Sequence, residues 1–243
     1  MSDDHADAAR LADEAGQLLL GVRARIGDEA ADVVKDEGDR RSNELLFELL
    51  RRLHPFDAVL SEEAADDHAR LTAPRVWVID PLDGTREFGE PPRTDWAVHV
   101  ALVCEHVPVA GAVALPARGL VLSSGSPRAV PPPAGRTRLV VSRTRPPASS
   151  AVLADALGAE LVPMGSAGAK AMAIVLGEAD VYAHSGGQHE WDSAAPVAVA
   201  QACGLHCSRL DGSPLRYNQP DPWLPDLLVC RPELAERVID ALR

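Results

Sequence analysis

The chain has no surplus of basic residues: 24 Lys and Arg stand against 36 Asp and Glu, a formal charge of −12. Nucleic acid is excluded as the expected partner, since binding by counterion release needs a basic face. An anionic small substrate remains open, because a bound metal ion reverses the local field. Long apolar runs are also missing. None approaches the roughly 18 residues that span a bilayer, so no membrane partner is expected. The start, Met1-Ser2-Asp3-Asp4-His5-Ala6-Asp7, has neither the basic opening nor the apolar centre of a signal peptide. The four cysteines (Cys104, Cys203, Cys207, Cys230) form no Cys-x-x-Cys pair. Cys203 and Cys207 flank Gly204-Leu205-His206, a zinc hint with no second pair to complete it. Buried free thiols in a cytoplasmic protein are the expectation.

What is present is an ordinary globular composition, 46% apolar and 25% charged over 243 residues. That is enough for a substantial core, in one large domain or two closely packed halves. The chain is organised around Trp77-Val78-Ile79-Asp80-Pro81-Leu82-Asp83-Gly84-Thr85-Arg86-Glu87-Phe88. Val76 to Ile79 read as a buried strand. Pro81, with no N–H to donate, is expected to end its pairing. Gly84 permits the tight turn that turns Asp80 and Asp83 toward one point. Two acids on a turn at a strand end suit hard divalent cations such as Mg²⁺, which take oxygen ligands.

Apolar spacing predicts a helix over residues 6–26 and a second from about Arg40, with Leu45, Leu46, Leu49, Leu50 and Leu53 buried and His54-Pro55 as its stop. Val59-Leu60 reads as a short strand before Ser61-Glu62-Glu63. Trp96–Val103, Pro108–Leu115 and Gly119–Leu122 read as antiparallel strands. Residues 127–147 hold Pro131-Pro132-Pro133, Pro146-Pro147 and one strand, Arg138–Ser142, and are read as a junction. It separates a metal-binding half, 1–126, from an α/β half, 148–243, the two forming one catalytic domain. The second half alternates helix Ser149–Leu157, strand Glu160–Met164, helix Ala167–Leu176, strand Ala179–His184, helix Asp192–Ala202, a strand near Leu227–Val229 and a helix from Pro232. Such alternation predicts a mixed sheet with helices on its faces.

Other acids point toward the central turn. Glu62 ends a strand, whereas Glu63 would point elsewhere on an extended backbone. Asp192 opens an apolar helix, where an N-cap is the plain reading. Asp39 precedes the second helix, where a cap or dipole partner is again the plain reading.

Taken together, Ser-Glu-Glu at 61–63, Trp-Val-Ile-Asp-Pro-Leu-Asp-Gly-Thr at 77–85 and Trp-Asp-Ser-Ala-Ala-Pro at 191–196 resemble the Mg²⁺-dependent, Li⁺-inhibited phosphomonoesterases of the inositol monophosphatase superfamily. Thr85-Arg86-Glu87-Phe88 makes the chain more similar to the CysQ branch, the 3′-phosphoadenosine 5′-phosphate (PAP) phosphatases. Gly165–Lys170, Gly177–Tyr182 and Asp211–Leu215 follow in family order. The resemblance implies an α/β sugar-phosphatase fold, an αβαβα sandwich. It implies metal ligands Glu62, Asp80, the Leu82 carbonyl, Asp83 and Asp192 for two or three Mg²⁺ ions. Thr85 would orient the attacking water, and Asp39 would hold Thr85 and accept a proton, while Gly84 and Thr85 would offer N–H groups to the phosphate. The chain lacks the Ser-Pro-Val-Thr segment that usually precedes the second helix, having only Val33-Val34-Lys35-Asp36-Glu37-Gly38-Asp39. Asp36 is therefore a rival for the role of Asp39. Related enzymes are often homodimers, and no patch in the sequence identifies a dimer surface.

The resemblance also places substrate at Gly165, Ser166 and Ala167, with Lys170 and Asp192 beside it; Lys170 reads equally as a solvated helix lysine. Arg143 and Arg145 could meet a second phosphate or be linker residues. His184 and Glu190 could shape specificity, and Tyr217 could pack on a base or on the core. Gly165–Lys170 lacks the spacing of a P-loop, and Asp80–Gly84 that of an EF-hand. The expected reaction is removal of the 3′-phosphate of PAP in sulfate assimilation, the work of a 3′(2′),5′-bisphosphate nucleotidase, with the sulfated analogue PAPS as a further substrate. The alternatives are an inositol 1-phosphate or fructose 1,6-bisphosphate phosphatase, or a non-catalytic cation sensor, for which Thr85 would be unnecessary.

Overall fold

The computed structural model describes residues 3–27 and 29–243; Met1 and Ser2, part of the signal-peptide reading, lie outside the described residues. Helices α1 (Asp4–Ile26) and α2 (Ala31–Leu53) cover one face of a sheet ordered β1 (Ala58–Ser61), β2 (Val76–Asp83), β3 (Ala97–Cys104), β4 (Val107–Leu115), β5 (Leu120–Ser123). A single helical turn, α3 (Thr85–Phe88), follows β2. Residues 124–137 carry the chain to a second sheet of β6 (Arg138–Ser142), β7 (Glu160–Met164), β8 (Val181–His189), β9 (His206–Ser208) and β10 (Trp223–Cys230), ordered β7-β6-β8-β10-β9. Helices α5 (Ala167–Val175) and α6 (Glu190–Ala202) lie between the sheets, and α4 (Ser149–Leu157) with α7 (Ala235–Ala241) closes the far face. This is the expected αβαβα sandwich.

Strand alternation builds the layers, because successive side chains point to opposite faces. In β2, Trp77 and Ile79 join the core under α1 and α2, while Val76 and Val78 join the central core around α5 and α6. In β10, Leu227 and Val229 face the central core, and Leu228 and Cys230 face α4 and α7. Helix α5 is buried along its whole length and apolar except for Lys170, as befits a helix between two sheets.

The structure corrects several expectations. Helix α2 begins at Ala31 rather than near Arg40, so Asp39 lies inside it and caps nothing. Gly38 costs a helix about 1 kcal/mol relative to Ala. Burial of Leu46 and Leu50 at about 1.5–3 kcal/mol each outweighs that. Gly38 is needed there for another reason: a Cβ would stand 2.7 Å from Phe88 Cε1 and 3.0 Å from Leu82 Cδ2. Pro81 does not end β2. The ladder to β3 slips between Asp80 and Asp83, and the strand continues to Asp83. Strand β8 runs five residues further than expected, to His189, and β9 has no signal in the sequence reading.

Gly38→Val should lower stability by about 1–3 kcal/mol, the usual cost of overpacking. Urea unfolding followed by circular dichroism would measure it; an unchanged midpoint would mean that α2 does not press on the β2–α3 turn.

Candidate active site

The site grows from the pairing of β1 with β2. They run parallel with Ser61 opposite Ile79, so one further step of register sets Glu62 beside Asp80. The Ser42 hydroxyl of α2 donates to the Pro81 carbonyl at 2.7 Å, holding the bulged strand end. Gly84 turns the chain at φ 83°, where a side chain would be strained, and a Cβ there would lie 3.0 Å from Ser166 Cβ. Asp192 is the third residue of α6, not its first; its carboxylate accepts from the His189 N–H at 2.6 Å in a capping box. The plain N-terminal role and the site position therefore coincide in one residue.

One oxygen from each of Asp80, Asp83 and Asp192 lies within 4.8 Å of the others. Asp80 is buried, and its Oδ2 has no hydrogen-bond partner. Asp83 sits on the N-terminus of α5, accepting from the Ser166 hydroxyl, from Gly168 N–H at 2.6 Å and from Ala167 N–H at 3.1 Å. His99 Nε2 stands 3.2 Å from Asp83, an ion pair without good hydrogen-bond alignment, while its Nδ1 donates to the Trp191 carbonyl at 3.0 Å. Burial alone would raise the Asp83 carboxyl, but His99 and these donors hold it well below the usual carboxylate range. His99 is the mirror image: burial lowers its pKa, and Asp83 outweighs that and raises it.

The other acids move the opposite way. Burial, then the charges of Glu62 and Asp83, pushes Asp80 well above its ordinary value. Burial followed by Asp83 takes Asp192 to about 6. Glu62 keeps an exposed surface at the cleft, yet loss of water around its carboxylate, then Asp192 and Asp83, raises it to about 8. Crowded carboxylates with an orphaned buried oxygen are a donor set for a hard divalent cation. The residues fit such an ion.

The Thr85 hydroxyl donates to the Leu82 carbonyl at 3.1 Å, so the expected Asp39–Thr85 hydrogen bond is not made. Asp39 is half-buried in α2, and burial, then Glu63 and Asp36, raises it to about 7. Asp36 is exposed.

A cleft of 470 Å³ joins Glu62, Asp83 and Asp192 to Gly84, Thr85, Gly165, Ser166, Ala167 and Lys170. Lys170 is no solvated lysine. It is buried, with Nζ 3.4 Å from the Gly165 carbonyl and 5.4 Å from the Tyr182 ring centre, and burial lowers its pKa. Arg143 lines the cleft but is held by Glu87 at 2.8 Å and Glu90 at 2.9 Å. Arg145 lines it exposed, as does Arg86. Tyr217 is wholly buried, its hydroxyl 3.2 Å from that of Ser193, and so belongs to the core. Glu190 is buried and accepts from the N–H groups of Asn218 and Gln219 at 2.5 and 2.8 Å, bracing the start of α6. His184 does line the cleft. Cys203 and Cys207 are free thiols, and the acid trio is the metal-type cluster found among the described residues. Sequence reasoning missed His99, although a histidine in the apolar run Ala97–Cys104 was a visible signal. It also missed Arg86, Gln188 and Trp223 of the cleft; nothing local marks Trp223.

A layered fold with a carboxylate cluster at the end of β2 is the architecture of a divalent-metal-dependent phosphatase class. Residues 5–243 match the inositol monophosphatase family, and the chain belongs to it. It is 54% identical over 241 residues to the 3′-phosphoadenosine 5′-phosphate phosphatase of Mycobacterium bovis, covering 94% of this chain and 89% of that protein. It is 30% identical to the 3′(2′),5′-bisphosphate nucleotidase CysQ of Escherichia coli, over 88% of this chain and 94% of that one. The crystal structure of CysQ from Bacteroides thetaiotaomicron superposes with a TM-score of 0.81 at 27% identity, covering 93% and 96% of the two chains. The family resemblance and its CysQ character are both borne out.

The raised acids predict a pH dependence. Glu62, Asp39 and Asp192 hold protons when folded that the unfolded chain has released, so stability falls as pH rises from about 5 to about 8. His99, also raised, acts in the same direction. Chelator-treated protein should be more stable to urea at pH 5 than at pH 8, and saturating divalent cation should remove most of the difference. A flat profile in chelator would contradict the acid cluster.

Proposed function

We propose that the protein is a Mg²⁺-dependent, Li⁺-inhibited 3′(2′),5′-bisphosphate nucleotidase that removes the 3′-phosphate of PAP, giving AMP and phosphate, and that also accepts PAPS. The 54% identity to a PAP phosphatase over nearly the whole chain carries the choice of substrate. The acid cluster with its orphaned Asp80 oxygen supports the chemistry. A place in sulfate assimilation follows from this substrate, and free cysteines fit a cytoplasmic setting.

Glu62, Asp80, the Leu82 carbonyl, Asp83 and Asp192 would hold the ions. When bound, these neutralise phosphoryl charge, acidify the attacking water and stabilise the leaving alkoxide. The chain's own groups do the rest. The Thr85 hydroxyl, which donates to the Leu82 carbonyl here, would turn to orient the attacking water for in-line attack on phosphorus. Asp39, raised to about 7, takes the water's proton near neutral pH, where a general base is most effective. The P–O3′ bond breaks, the 3′-oxygen is protonated from solvent, and no phosphoenzyme forms. The N–H groups of Gly84 and Thr85 hold phosphate oxygens. Ser166 and Ala167, at the N-terminus of α5, are released from Asp83 to meet the ribose, and Lys170 adds positive charge to the floor. Arg145 and Arg143 meet the 5′-phosphate, Arg143 by leaving Glu87 and Glu90.

Phosphate release should favour PAP over inositol 1-phosphate by at least about a hundredfold in kcat/KM, a span of about 2.7 kcal/mol, and should fall on adding Li⁺. The opposite preference would move the chain to an inositol phosphatase, and no turnover of either would leave a cation sensor. Asp83→Asn should abolish turnover with its circular dichroism spectrum intact, and Thr85→Ala should slow it by about a hundredfold or more. An active Asp83→Asn enzyme would remove Asp83 from the metal set.

A further inference from the structure

The chain carries 22 arginines and only two lysines, Lys35 and Lys170. Arginine stays charged in a protein, whereas a lysine that loses its water becomes a reactive amine. Lys35 is the ordinary case, partly exposed on α2 with Asp32 3.2 Å from its Nζ. Lys170 is not. It is 7% exposed, sits on a helix otherwise apolar, and forms no ion pair among the described residues. Its Nζ has one long hydrogen bond, 3.4 Å to the Gly165 carbonyl, and lies over the Tyr182 ring at 5.4 Å. Burial pulls its pKa down, and the fields of Asp83 and Asp192, which favour the ammonium, do not make up the difference.

Such an amine reacts when an electrophile is brought to it. Lys170 lines the 470 Å³ cleft together with Gly84, Thr85, Arg143 and Arg145, the groups read above as holding phosphate. A molecule that joins a phosphate to an activated carbonyl is held by those groups while its carbonyl carbon meets the floor. A phosphate monoester has no such carbon, so Lys170 survives ordinary turnover.

We infer that Lys170 is an acylation site for acyl phosphates, which the cleft receives by their phosphate. Nζ, as the free amine, attacks the acyl carbon. The N–C bond forms, the C–O bond to phosphate breaks, inorganic phosphate leaves, and the surplus proton of the amine goes to solvent. The product is a neutral amide. It removes a positive charge from the cleft floor and sets an acyl group where substrate lies, so modification lowers turnover. The inference rests on the reading that the cleft receives phosphate, not on the choice of PAP.

The test treats the Mg²⁺-loaded protein with acetyl phosphate and follows acetylation of Lys170 and Lys35 by peptide mass spectrometry. Lys170 should react at least about tenfold faster than Lys35, a small part of what holding two reactants together can supply. Inorganic phosphate should slow Lys170 and leave Lys35 unchanged, and acetic anhydride, which carries no phosphate, should lose the preference. PAP hydrolysis should fall in step with acetylation of Lys170, while the residual activity of Lys170→Arg should be insensitive to the same treatment. A Lys170 that reacts no faster than Lys35, or as fast with phosphate present as without it, overturns the site even if PAP is cleaved. Acetylation that phosphate blocks, in a protein that cleaves only inositol 1-phosphate, upholds the site and removes the PAP reading.

Discussion

Three carboxylates brought within 4.8 Å of one another at the edge of a buried strand set the terms for the rest of this molecule. Like charges so close in a region of low dielectric repel strongly. The fold answers in two ways at once. Asp83 is given a cation and a helix N-terminus, through His99 and α5, and keeps its charge. Asp80 and Asp192 receive a backbone N–H each, from Leu82 and His189, but in them as in Glu62 burial and mutual repulsion outweigh the stabilising contacts, and their affinity for protons rises. That unrelieved part is the free energy a divalent ion can recover, which ties metal binding to the stability of the folded chain.

Holding those acids together requires parts of the chain that never touch substrate. The parallel register of β1 with β2 delivers Glu62, and the Ser42 contact from α2 holds the Pro81 bulge. The capping box of α6 aims Asp192, and Glu190 braces the same helix against the segment at Asn218 and Gln219. Arg70, fully buried, pairs with Asp66 and donates to Asn218, tying the loop after Glu62 to that segment. These restraints come from the outer helix α2, the first sheet and the central helix α6, and the site lies where they meet.

The cleft beyond the acids has a different character. Its cations are unequal: Lys170 is buried against Tyr182, Arg143 is engaged by Glu87 and Glu90, and Arg86 and Arg145 are exposed. An incoming phosphate therefore meets free guanidinium first and competes with carboxylates for Arg143. On the β8–β10 side the lining includes His184, Gly187 and the half-exposed Trp223.

The amino-acid sequence by itself determined the elements and the chemistry of the turn. The continuous apolar run Val76–Ile79, helical spacing in α1, and the run from Asp80 through Thr85 are local properties, readable without knowing what packs where. Most helix and strand limits of the second half follow from the same periodicities. Only the tertiary structure decided which acids keep their protons, because that depends on His99 from β3 and the N-terminus of α5, both distant in the chain. It alone placed Asp39 inside α2, where burial of leucines further along the helix overrides the glycine and acidic residues at its start. It alone turned Tyr217 into the core, paired Arg143 with two acids, and laid Trp223 over Gly187 at a bulge. Exposure, orphaned polar atoms and electrostatic partners are sums over neighbours from every layer, and no window of sequence contains them.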